Sequence, residues 1–576
     1  MPTTRRKAPV AKPRTGSKPE RTVRDYRSTA IVVIVAIVAS AACLFNQLTS
    51  DDFALIGADP RIRGMAGWGA IFSQAYWPPP YAPDLYRPLA TSLLAIQYAI
   101  GGGDPLPFRL VSIALYVLAC IGVLQLARRV FSDRTALAVA VLFAVHPVHV
   151  EVIALAVSQN ESIVVFLTAA SVAFYVDRRR RADGEIGVRG CLGLVLAYAV
   201  ASLAKEDGFM LPAFLLAAEI TLIEETSFRA RLAKTGAGFA ALGAAGIALI
   251  LLRAEVLGGQ IRPPVIAEAL RGASPGGRAL TMLQIVPEGL RLMFWPLHLR
   301  IDYGFREILP STSIGPREMV GLVIVAAAVA IAFVARKRAS AITFGLLWTA
   351  ISLFPVSNLV LPTAIVLAER TLFLPSVGAL IALGGTVDWL AARRWSWMRL
   401  DRKPALAVFA LVVAAALTRV ITRELVWRDA QTLLFTSVGD NAKSWRVWQG
   451  YGDVLFGLGR NSEAIDAYDR AIDLSLDTWS VRNRFGAHLR VIGQDSAAVD
   501  QFQKSLRQNP NQVIPLSQIP PALIAMGRYE EAKRIADSII VVANAPPIML
   551  WLRSVADSAI RTHAAAGSIR IGLRAP

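Results

Sequence analysis

Apolar segments long enough to cross a bilayer recur throughout residues 28–421. Each is close to the ~20 residues that an α-helix needs to span ~30 Å of hydrocarbon. Because backbone polar groups in lipid must be satisfied within the protein, the pattern predicts an all-α, polytopic membrane protein with about eleven spans. The candidate spans are 28–48, 108–128, 136–156, 160–177, 190–205, 208–224, 235–252, 316–335, 340–357, 366–391 and 404–421.

The first apolar segment has a second interpretation, as a signal peptide. Ser40-Ala41-Ala42-Cys43 faintly resembles a lipoprotein cleavage site. The segment is about the length of a span and further spans follow, so we interpret it as an uncleaved first helix. Residues 1–27, with nine Lys and Arg against Glu20 and Asp25, are then predicted to form a disordered cytoplasmic tail.

Positive charges between the spans predict the orientation of the chain. With the spans above, all the basic clusters fall on one side, which the positive-inside rule makes cytoplasmic. The apolar stretch 279–299 must then not cross fully, and we expect a re-entrant or interfacial helix there. The clusters are Arg128/Arg129/Arg134, Arg178–Arg181, Arg229/Arg231/Lys234, Arg336/Lys337/Arg338 and Arg393/Arg394.

This topology predicts three parts: the tail 1–27, a transmembrane domain 28–422 and a domain 423–576 on the extracytoplasmic side. The first long loop, 49–107, also lies on that side. The Ala- and Arg-rich composition favours a prokaryotic source, so the predicted location is the plasma (inner) membrane.

The charge balance excludes some classes of partner. The net charge is +19, but 54% of the residues are hydrophobic and most Arg clusters adjoin apolar segments, where topology explains them. No folded basic stripe with interleaved aromatic residues occurs, so we predict the lipid bilayer as a partner and no nucleic acid. The three cysteines all lie in apolar segments and suggest neither a disulfide framework nor a thiolate metal site.

A repeat of 34 residues replaces the apolar segments after about residue 445. This is the tetratricopeptide period, in which small residues let two helices approach while an aromatic side chain fills the gap. We predict an α-solenoid of two repeats, a divergent third with Pro520 at a small-residue position, and a capping helix near 546–562. The equivalent pairs are Gly452/Gly486, Ala464/Ala498, Tyr468/Phe502 and Ala471/Ser505.

The repeat domain has two functional interpretations of equal weight. One is a concave surface that binds an acceptor protein, with Trp448, Tyr451 and Arg482 in its groove. The other is a scaffold for packing or oligomerisation.

Asp51-Asp52, shortly after the first span, is the strongest candidate for a catalytic site. A carboxylate pair at a membrane surface can remove a proton from an attacking hydroxyl or coordinate a divalent cation, Mg²⁺ or Mn²⁺, for which Asp51 is the candidate ligand. The alternative is that the two residues only cap a helix.

A histidine-rich turn lies at the end of the third apolar helix. His146, His149 and Glu151 are costly at membrane depth, which favours a function. The turn lacks the HExxH pattern of zinc enzymes, so we expect it to hydrogen-bond a polar substrate rather than bind zinc.

Cationic residues on the same side complete the candidate site. Arg87, Lys205 and Arg370 can bind a phosphate through charge-assisted hydrogen bonds. The alternatives are ion pairs within Lys205-Glu206 and Glu369-Arg370, or snorkelling to the lipid headgroups. The predicted substrate-binding set is Tyr86, Arg87, His146, His149, Glu151, Lys205, Glu206, Glu369 and Arg370.

Taken in order, these motifs resemble the transmembrane and tetratricopeptide-repeat O-mannosyltransferases, which are C-type (GT-C) glycosyltransferases. The resemblance runs through nearly the whole chain. The motifs are Asp51-Asp52, Tyr86-Arg87-Pro88-Leu89, His146-Pro147-Val148-His149-Val150-Glu151, Ala204-Lys205-Glu206-Asp207-Gly208, Trp295-Pro296-Leu297, Phe354-Pro355-Val356-Ser357-Asn358, Ala368-Glu369-Arg370-Thr371-Leu372-Phe373-Leu374-Pro375 and Arg423…Trp427-Arg428-Asp429.

The resemblance implies a glycosyltransferase that moves a sugar, mannose above all, from a polyprenyl phosphate to a hydroxyl, with inversion, on the extracytoplasmic face. It implies Asp51 as the base or metal-organising carboxylate, with Asp52 beside it, and a protein Ser/Thr as the acceptor. A non-catalytic scaffold that recruits envelope proteins is the second hypothesis, and a transporter the third.

Overall fold

The computed structural model describes residues 18–569 except 65–66, 80, 82, 226, 260–264, 394–401, 511 and 543–546, and these residues form helices and no strands. The first part of the chain contains α1 (Lys18–Ser40), α2 (Trp68–Ser73), α3 (Pro88–Gly101), α4 (Pro105–Val130), α5 (Asp133–Ala144), α6 (Val150–Ala154), α7 (Gln159–Arg179), α8 (Gly187–Ala204), α9 (Leu211–Leu222), α10 (Phe228–Val256), α11 (Pro275–Phe294), α12 (Pro316–Ala335), α13 (Ser340–Leu353), α14 (Phe373–Ala392) and α15 (Arg402–Val426). The second part contains α16 (Ala430–Asp440), α17 (Trp445–Gly457), α18 (Asn461–Leu474), α19 (Thr478–Val491), α20 (Asp495–Gln508), α21 (Val513–Ala525), α22 (Tyr529–Val542) and α23 (Pro547–Arg561).

The helical, polytopic architecture is confirmed, but the number of long spans is smaller than expected. Among the described residues, eight helices are long and apolar enough to cross a membrane, or nine if α5 and the segment Pro147–Ala154, bent by 48°, form one span. The predicted spans 208–224 and 340–357 correspond to α9 and α13, of 12 and 14 residues. These two predicted spans contain helices shorter than expected, because apolar composition continues into turns that do not extend them.

Two other topological expectations can be compared with the structure. Most of the apolar stretch 279–299 lies in α11, which contains Pro287 and packs against α12. This helix does not meet the length and composition expected of a membrane span. Of the predicted tail, residues 1–17 lie outside the described residues, and α1 already begins at Lys18, so 18–27 is helical rather than irregular.

Three helices at the periphery expose their apolar side chains. On α10, α12 and α15, most of the apolar residues are not covered by protein, as at Ile250, Val329 and Leu411. Contiguous apolar surface of this kind is unfavourable in water and suits contact with acyl chains. The buried residues of α4, α7 and α14 form the core that these helices surround.

The ends of the helices define two faces. At the basic face, Arg129 pairs with Asp177 and Thr135 bonds to Asp388 at 2.7 Å. The opposite face, called here the loop face, carries the described residues of 46–104, 146–158, 205–210, 257–315, 354–372 and 427–569. The described residues of the predicted cytoplasmic clusters all belong to the basic face.

A buried ion pair joins two helices at the basic face. The guanidinium of Arg179 donates to both carboxylate oxygens of Glu219, at 2.9 and 2.7 Å, and Tyr175 Oη adds a bond of 2.8 Å. Since both charged side chains are almost fully buried, removing one would leave the other uncompensated. The pair therefore fixes α9 against α7.

The second part consists of antiparallel helix pairs. A Cβ at Gly452 would lie 2.7 Å from the Tyr468 ring, and one at Gly486 would lie 2.8 Å from the Phe502 ring. These contacts recur with the 34-residue period of the sequence. The last helix, α23, spans Pro547–Arg561, close to the predicted capping helix.

The repeat helices are bonded to the loop between α10 and α12. Asp302 accepts hydrogen bonds from Asn441 Nδ2, through its carbonyl, and from Ser444 Oγ, through its carboxylate, both at 2.6 Å. Trp445 Nε1 donates to Glu268 at 2.8 Å. These bonds hold the second part against the loop face.

Close packing of α13 on α14 requires glycine at their crossing. A Cβ at Gly378 would lie 2.5 Å from the Gly345 carbonyl oxygen and 2.6 Å from the Thr349 amide nitrogen, both backbone atoms that cannot move aside. Gly378→Val should therefore destabilise the protein by about 1–3 kcal/mol or more through overpacking. Thermal unfolding in detergent measures the effect.

Gly243→Val is the matched control for this change. A Cβ at Gly243, also inside a long helix, meets no atom within 4 Å. An equal loss of stability in the two variants would show that β-branching alone, and not the contact between α13 and α14, is responsible.

Candidate active site

Asp51 and Asp52, adjacent in sequence, lie in different environments. Asp52 is fully buried and accepts hydrogen bonds from the backbone N–H groups of Ala156 (3.3 Å) and Val157 (3.0 Å). Its carboxylate also pairs with Arg109 at 3.3 Å. Asp51 keeps a third of its side chain exposed. Of the two predicted catalytic carboxylates, only Asp51 is open to a substrate in this structure.

Arg109, at the start of α4, holds the polypeptide around this carboxylate pair. Its guanidinium donates to the carbonyl oxygens of Asn46 (3.2 Å), Gln47 (2.6 Å) and Ala154 as well as to Asp52. A charge buried this deeply is tolerated only when its donors are satisfied. The segment that carries Asp51 is thereby tied to the span that follows it and to the end of α6.

Arg370 bridges Asp51 to the histidine-rich turn. Its Nη1 lies 3.2 Å from Asp51 Oδ2 and 3.0 Å from Glu151 Oε1, and its backbone N–H donates to Glu151 Oε2 at 2.9 Å. About a quarter of the Arg370 side chain is exposed. Three residues separated by up to 319 positions thus form one half-buried polar group.

Lys205 lies between two other carboxylates. Its Nζ is 2.5 Å from Glu161 Oε1 and 2.5 Å from Asp207 Oδ2. Burial alone would lower the pKa of Lys205, but Asp207 and Glu161 outweigh it and raise the pKa above its ordinary value. The ammonium group is therefore charged at neutral pH.

Arg87 and Arg253 share the carboxylate of Glu206. Arg87 donates twice to Oε2, at 2.8 and 2.7 Å, and Arg253 donates to Oε1 at 2.9 Å. Burial opposes ionisation of Glu206, but the two guanidinium groups lower its pKa to about 2. Arg87 also lies 5.1 Å from the ring centroid of Tyr76, a cation–π contact.

These groups form one electrostatic cluster at the loop face. Glu161 interacts with Arg87 and with Arg370, so it connects the Lys205 and Arg370 groups. The cluster holds four cations, Arg87, Lys205, Arg253 and Arg370, and five carboxylates, Asp51, Glu151, Glu161, Glu206 and Asp207.

Gly208 permits the turn that presents Lys205. A Cβ there would lie 2.3 Å from the carbonyl carbon of Ala201 and 2.4 Å from the Ser202 nitrogen. Only glycine lets the turn Glu206–Met210 fold this closely against the end of α8.

The two histidines bond inside the protein. His146 Nε2 is 2.8 Å from the Met293 carbonyl oxygen, and His149 lies between Tyr116 Oη (3.1 Å) and Ser376 Oγ (3.0 Å). His149 is fully buried among aromatic rings. Both ring nitrogens of His149 have protein partners in this structure, so neither is exposed for the expected hydrogen bond to a substrate.

Two further predicted residues also have internal partners. Glu369 Oε1 accepts from the Arg300 backbone N–H at 2.5 Å and from Tyr303 Oη at 3.2 Å. Tyr86 Oη donates to the Phe72 carbonyl at 2.9 Å. The alternative of ion pairs within Lys205-Glu206 and Glu369-Arg370 is wrong, because each of these residues pairs with a partner distant in sequence.

Sequence reasoning missed four residues that order the cluster: Arg109, Glu161, Asp207 and Arg253. A signal was present, since Arg109 and Glu161 are charged residues within apolar segments, where charge is costly without a partner. No group of three or more His, Cys, Asp or Glu side chains suited to a metal ion occurs among the described residues. The role of Asp51 as a ligand of Mg²⁺ or Mn²⁺ stays a prediction.

The three predicted groove residues each contact neighbours within the repeat domain. Trp448 and Tyr451 of α17 pack on each other, and Tyr451 packs on Phe435 of α16. Arg482 of α19 donates to Gln501 of α20 at 2.7 Å. The acceptor-binding role of this set stays a prediction.

Comparison with known proteins extends these observations. Residues 82–251 match the family model of dolichyl-phosphate-mannose-protein mannosyltransferases, a range that includes Arg87, Glu151, Glu161 and Lys205–Asp207. Protein O-mannosyl-transferase TMTC3 of Mus musculus is 22% identical over 510 residues, which cover 82% of this chain and 53% of the relative. Protein O-mannosyl-transferase TMTC4 of Mus musculus is 23% identical over 489 residues, covering 76% and 65%. The chain thus spans about half the length of the TMTC3 relative.

Solved structures of similar proteins include ArnT from Cupriavidus metallidurans bound to undecaprenyl phosphate, with 14% identity, a TM-score of 0.37 and coverage of 87% of this chain and 85% of that one. The resemblance found in the sequence is thus confirmed as a similarity: the chain is similar to protein O-mannosyl-transferases over about 80% of its length, at 22–23% identity.

Proposed function

We propose that the protein is a membrane glycosyltransferase that moves a sugar, with mannose as the first candidate, from a polyprenyl-phosphate donor to a hydroxyl of an acceptor protein. The transfer inverts the configuration of the anomeric carbon. The observation that carries the proposal is the group formed by Asp51, Arg370 and Glu151. It presents one partly exposed carboxylate, held in place by a guanidinium, within the cluster of paired cations and carboxylates at the loop face.

Asp51 is the proposed general base. A general base must lie within hydrogen-bond reach of the proton that it removes, and Asp51 is the exposed member of the carboxylate pair. As it takes the proton of a Ser or Thr hydroxyl, the oxygen attacks the anomeric carbon, the bond from that carbon to the phosphate oxygen breaks, and the polyprenyl phosphate leaves. A single displacement of this kind inverts the anomeric configuration.

Cations of the cluster stabilise the phosphate that leaves. Arg87 Nη1 and the Nε and Nη2 groups of Arg370 donate no hydrogen bond to the described chain, although other atoms of both guanidinium groups are held by carboxylates. Donors positioned in this way stabilise developing negative charge without reorganisation. The exposed apolar surfaces of α10, α12 and α15 support entry of a polyprenyl donor from the surrounding lipid.

The proposed orientation puts the basic face in the cytoplasm and the loop face, with the repeats, outside it. The Arg and Lys clusters at one set of helix ends support this assignment. The proposed location is the plasma (inner) membrane, with the acceptor protein reaching the site from the extracytoplasmic side through the repeat domain.

Asp51→Asn should lower the transfer activity, whereas Asp52→Asn should lower the stability of the fold. Asp51→Asn should lower transfer by about 10²–10⁴-fold, the usual contribution of a general base, and leave thermal stability close to that of the wild type. Asp52→Asn removes one partner of a buried ion pair and should cost about 3–5 kcal/mol of stability. Sugar transfer from polyprenyl-phosphate mannose to envelope proteins, together with thermal unfolding, measures both.

Full transfer by well-folded Asp51→Asn protein would reject the assignment of the base. Binding of envelope proteins without transfer from any polyprenyl-phosphate sugar would favour the non-catalytic scaffold instead.

Glu206 gives a prediction of pH dependence. Its pKa is about 2 in the folded protein, below the ordinary value of 4.5, so its ion pairs stabilise the fold above pH 4.5 and lose that contribution as the pH falls toward 2. The difference in unfolding temperature between wild type and Glu206→Gln should be constant from pH 7 to about 4.5 and shrink below it. A difference that instead shrank between pH 7 and 5 would contradict the ion-pair geometry.

A further inference from the structure

Tyr76 is a buried aromatic residue beside the charged cluster, and the proposed mechanism does not yet use it. It lies in the loop between α2 and α3, outside the helices that could span a membrane, and only 3% of it is exposed. The guanidinium carbon of Arg87 lies 5.1 Å from the centroid of its ring, and the ring of Trp77 packs edge-on at 5.5 Å. Tyr76 is thus a neighbour of a cation proposed to stabilise the leaving phosphate.

Hydrogen bonds on both sides of its backbone hold Tyr76 in place. Its carbonyl oxygen accepts from Arg61 Nη2 at 2.7 Å, and its N–H donates to the Leu85 carbonyl at 2.7 Å. Arg61 also donates to the Ala75 carbonyl at 2.6 Å and pairs with the carboxylate of Asp59 at 2.7 Å. Because Arg61 and Asp59 are both buried, this pair fixes the loop. The position of Tyr76 is therefore set before a substrate binds.

The hydroxyl of Tyr76 has no partner within the part of the chain that the structure describes. No hydrogen bond joins Tyr76 Oη to a described residue, and this oxygen is not among the enclosed polar atoms that lack a partner. The small exposed part of the side chain therefore includes the hydroxyl. Since a tyrosine hydroxyl next to the protein interior usually has a hydrogen-bond partner, this one is available to a bound molecule.

Charges of the cluster act on this hydroxyl. Arg87 and Arg370 both interact with the Tyr76 phenol, and so does Asp51, the proposed base. Burial is the largest influence and raises the pKa of Tyr76 above its ordinary value, although the two guanidinium groups oppose the increase. The phenol therefore keeps its proton at neutral pH. It is an uncharged hydrogen-bond donor that lies near both the proposed base and the proposed phosphate-binding cations.

A phosphate in this cluster requires donors beyond the cations. The guanidinium groups of Arg87 and Arg370 are already paired with carboxylates, and the cluster holds five carboxylates against four cations. The nearby carboxylates cancel part of the attraction of these cations for an anion. A phenolic O–H needs no carboxylate to hold it, and its hydrogen bond to a charged phosphate oxygen is roughly twice as strong as one between neutral groups.

We propose that the Tyr76 hydroxyl binds the donor phosphate and stabilises it as the sugar leaves. Asp51 takes the proton of the acceptor hydroxyl, the acceptor oxygen bonds to the anomeric carbon, and the bond from that carbon to the phosphate oxygen breaks. The electron pair of the broken bond stays on the phosphate oxygen, and the Tyr76 O–H stabilises the added negative charge while keeping its own proton. This inference rests on the proposed function and adds a residue to its donor site.

Tyr76→Phe tests the inference, because it removes the hydroxyl and keeps the ring. The kcat/KM for transfer from polyprenyl-phosphate mannose should fall about 10²-fold, a usual loss when one donor to developing negative charge is removed. The affinity for undecaprenyl phosphate, which carries no sugar, should fall at least about tenfold because its phosphate loses the same charge-assisted bond. Thermal stability should stay close to that of the wild type, since the hydroxyl bonds to no described residue. Transfer kinetics, equilibrium binding and thermal unfolding in detergent measure the three quantities.

Tyr81→Phe is the matched control. Tyr81 lies in the same loop, its ring packs on Trp77 at 5.6 Å, and half of the residue is exposed. Its charged neighbour Arg484 belongs to α19 of the repeat domain. Transfer and affinity for undecaprenyl phosphate should stay within about twofold of the wild type. Equal losses in Tyr76→Phe and Tyr81→Phe would assign the effect to the loop as a whole and overturn the inference.

The two measurements separate failure of the inference from failure of the proposed function. Wild-type kinetics in Tyr76→Phe, beside an inactive Asp51→Asn, would reject the role of Tyr76 alone. Slower transfer by Tyr76→Phe with unchanged affinity for undecaprenyl phosphate would also reject it, because the contact would then be to the sugar or the acceptor. If the wild-type protein transfers no sugar from any polyprenyl-phosphate donor, the proposed function fails. Weaker binding of undecaprenyl phosphate by Tyr76→Phe would still support the phosphate contact in that case, and equal binding would reject it.

Discussion

The buried pair of Arg109 and Asp52 is the interaction on which the loop face depends. Arg109 also binds three backbone carbonyls, and Asp52 binds two backbone N–H groups, so the pair joins the end of the first span to α4 and to the turn before α7. An isolated charge in such a place would be prohibitively costly, but here almost every donor has an acceptor. These bonds hold the backbone next to Asp51 in place, and part of the Asp51 carboxylate stays exposed.

Around this pair, the candidate site consists of cations and carboxylates that form ion pairs, most of them between residues distant in sequence. Lys205 pairs with Glu161 and Asp207, while Arg370 pairs with Asp51 and Glu151. Carboxylates hold the cations in fixed orientations, and some donors of Arg87 and Arg370 make no hydrogen bond to the described residues. A cluster that is close to neutral overall is compatible with a membrane surface, whereas unpaired charges there would not be.

Much of the architecture was predictable from local patterns. Apolar segments of span length, basic clusters at alternate helix ends and a 34-residue period can each be found along the sequence alone. The helices α4, α7, α12 and α23 lie close to where they were expected. Two predicted spans contain helices of only 12 and 14 residues, because composition does not mark where a helix bends or stops. The site was predicted only as a set of polar residues on one side, since residue types do not reveal partners. Asp51 and Asp52 look equivalent in the sequence, yet one is exposed and the other is enclosed.

The sequence by itself determined that this chain is a helical membrane protein, that its basic clusters collect at one face, and that two of its 34-residue units pair small residues with aromatic ones. Hydrophobic length, charge distribution and period suffice for these conclusions because each depends on neighbours within one helix or one helix pair. Only the tertiary structure decided which carboxylate is open, which cation each acid holds, that His149 is enclosed by aromatic rings, and that Tyr76 lies beside Arg87. Those properties depend on contacts between residues up to several hundred positions apart, and burial and electrostatic pairing select such contacts only once the helices have packed.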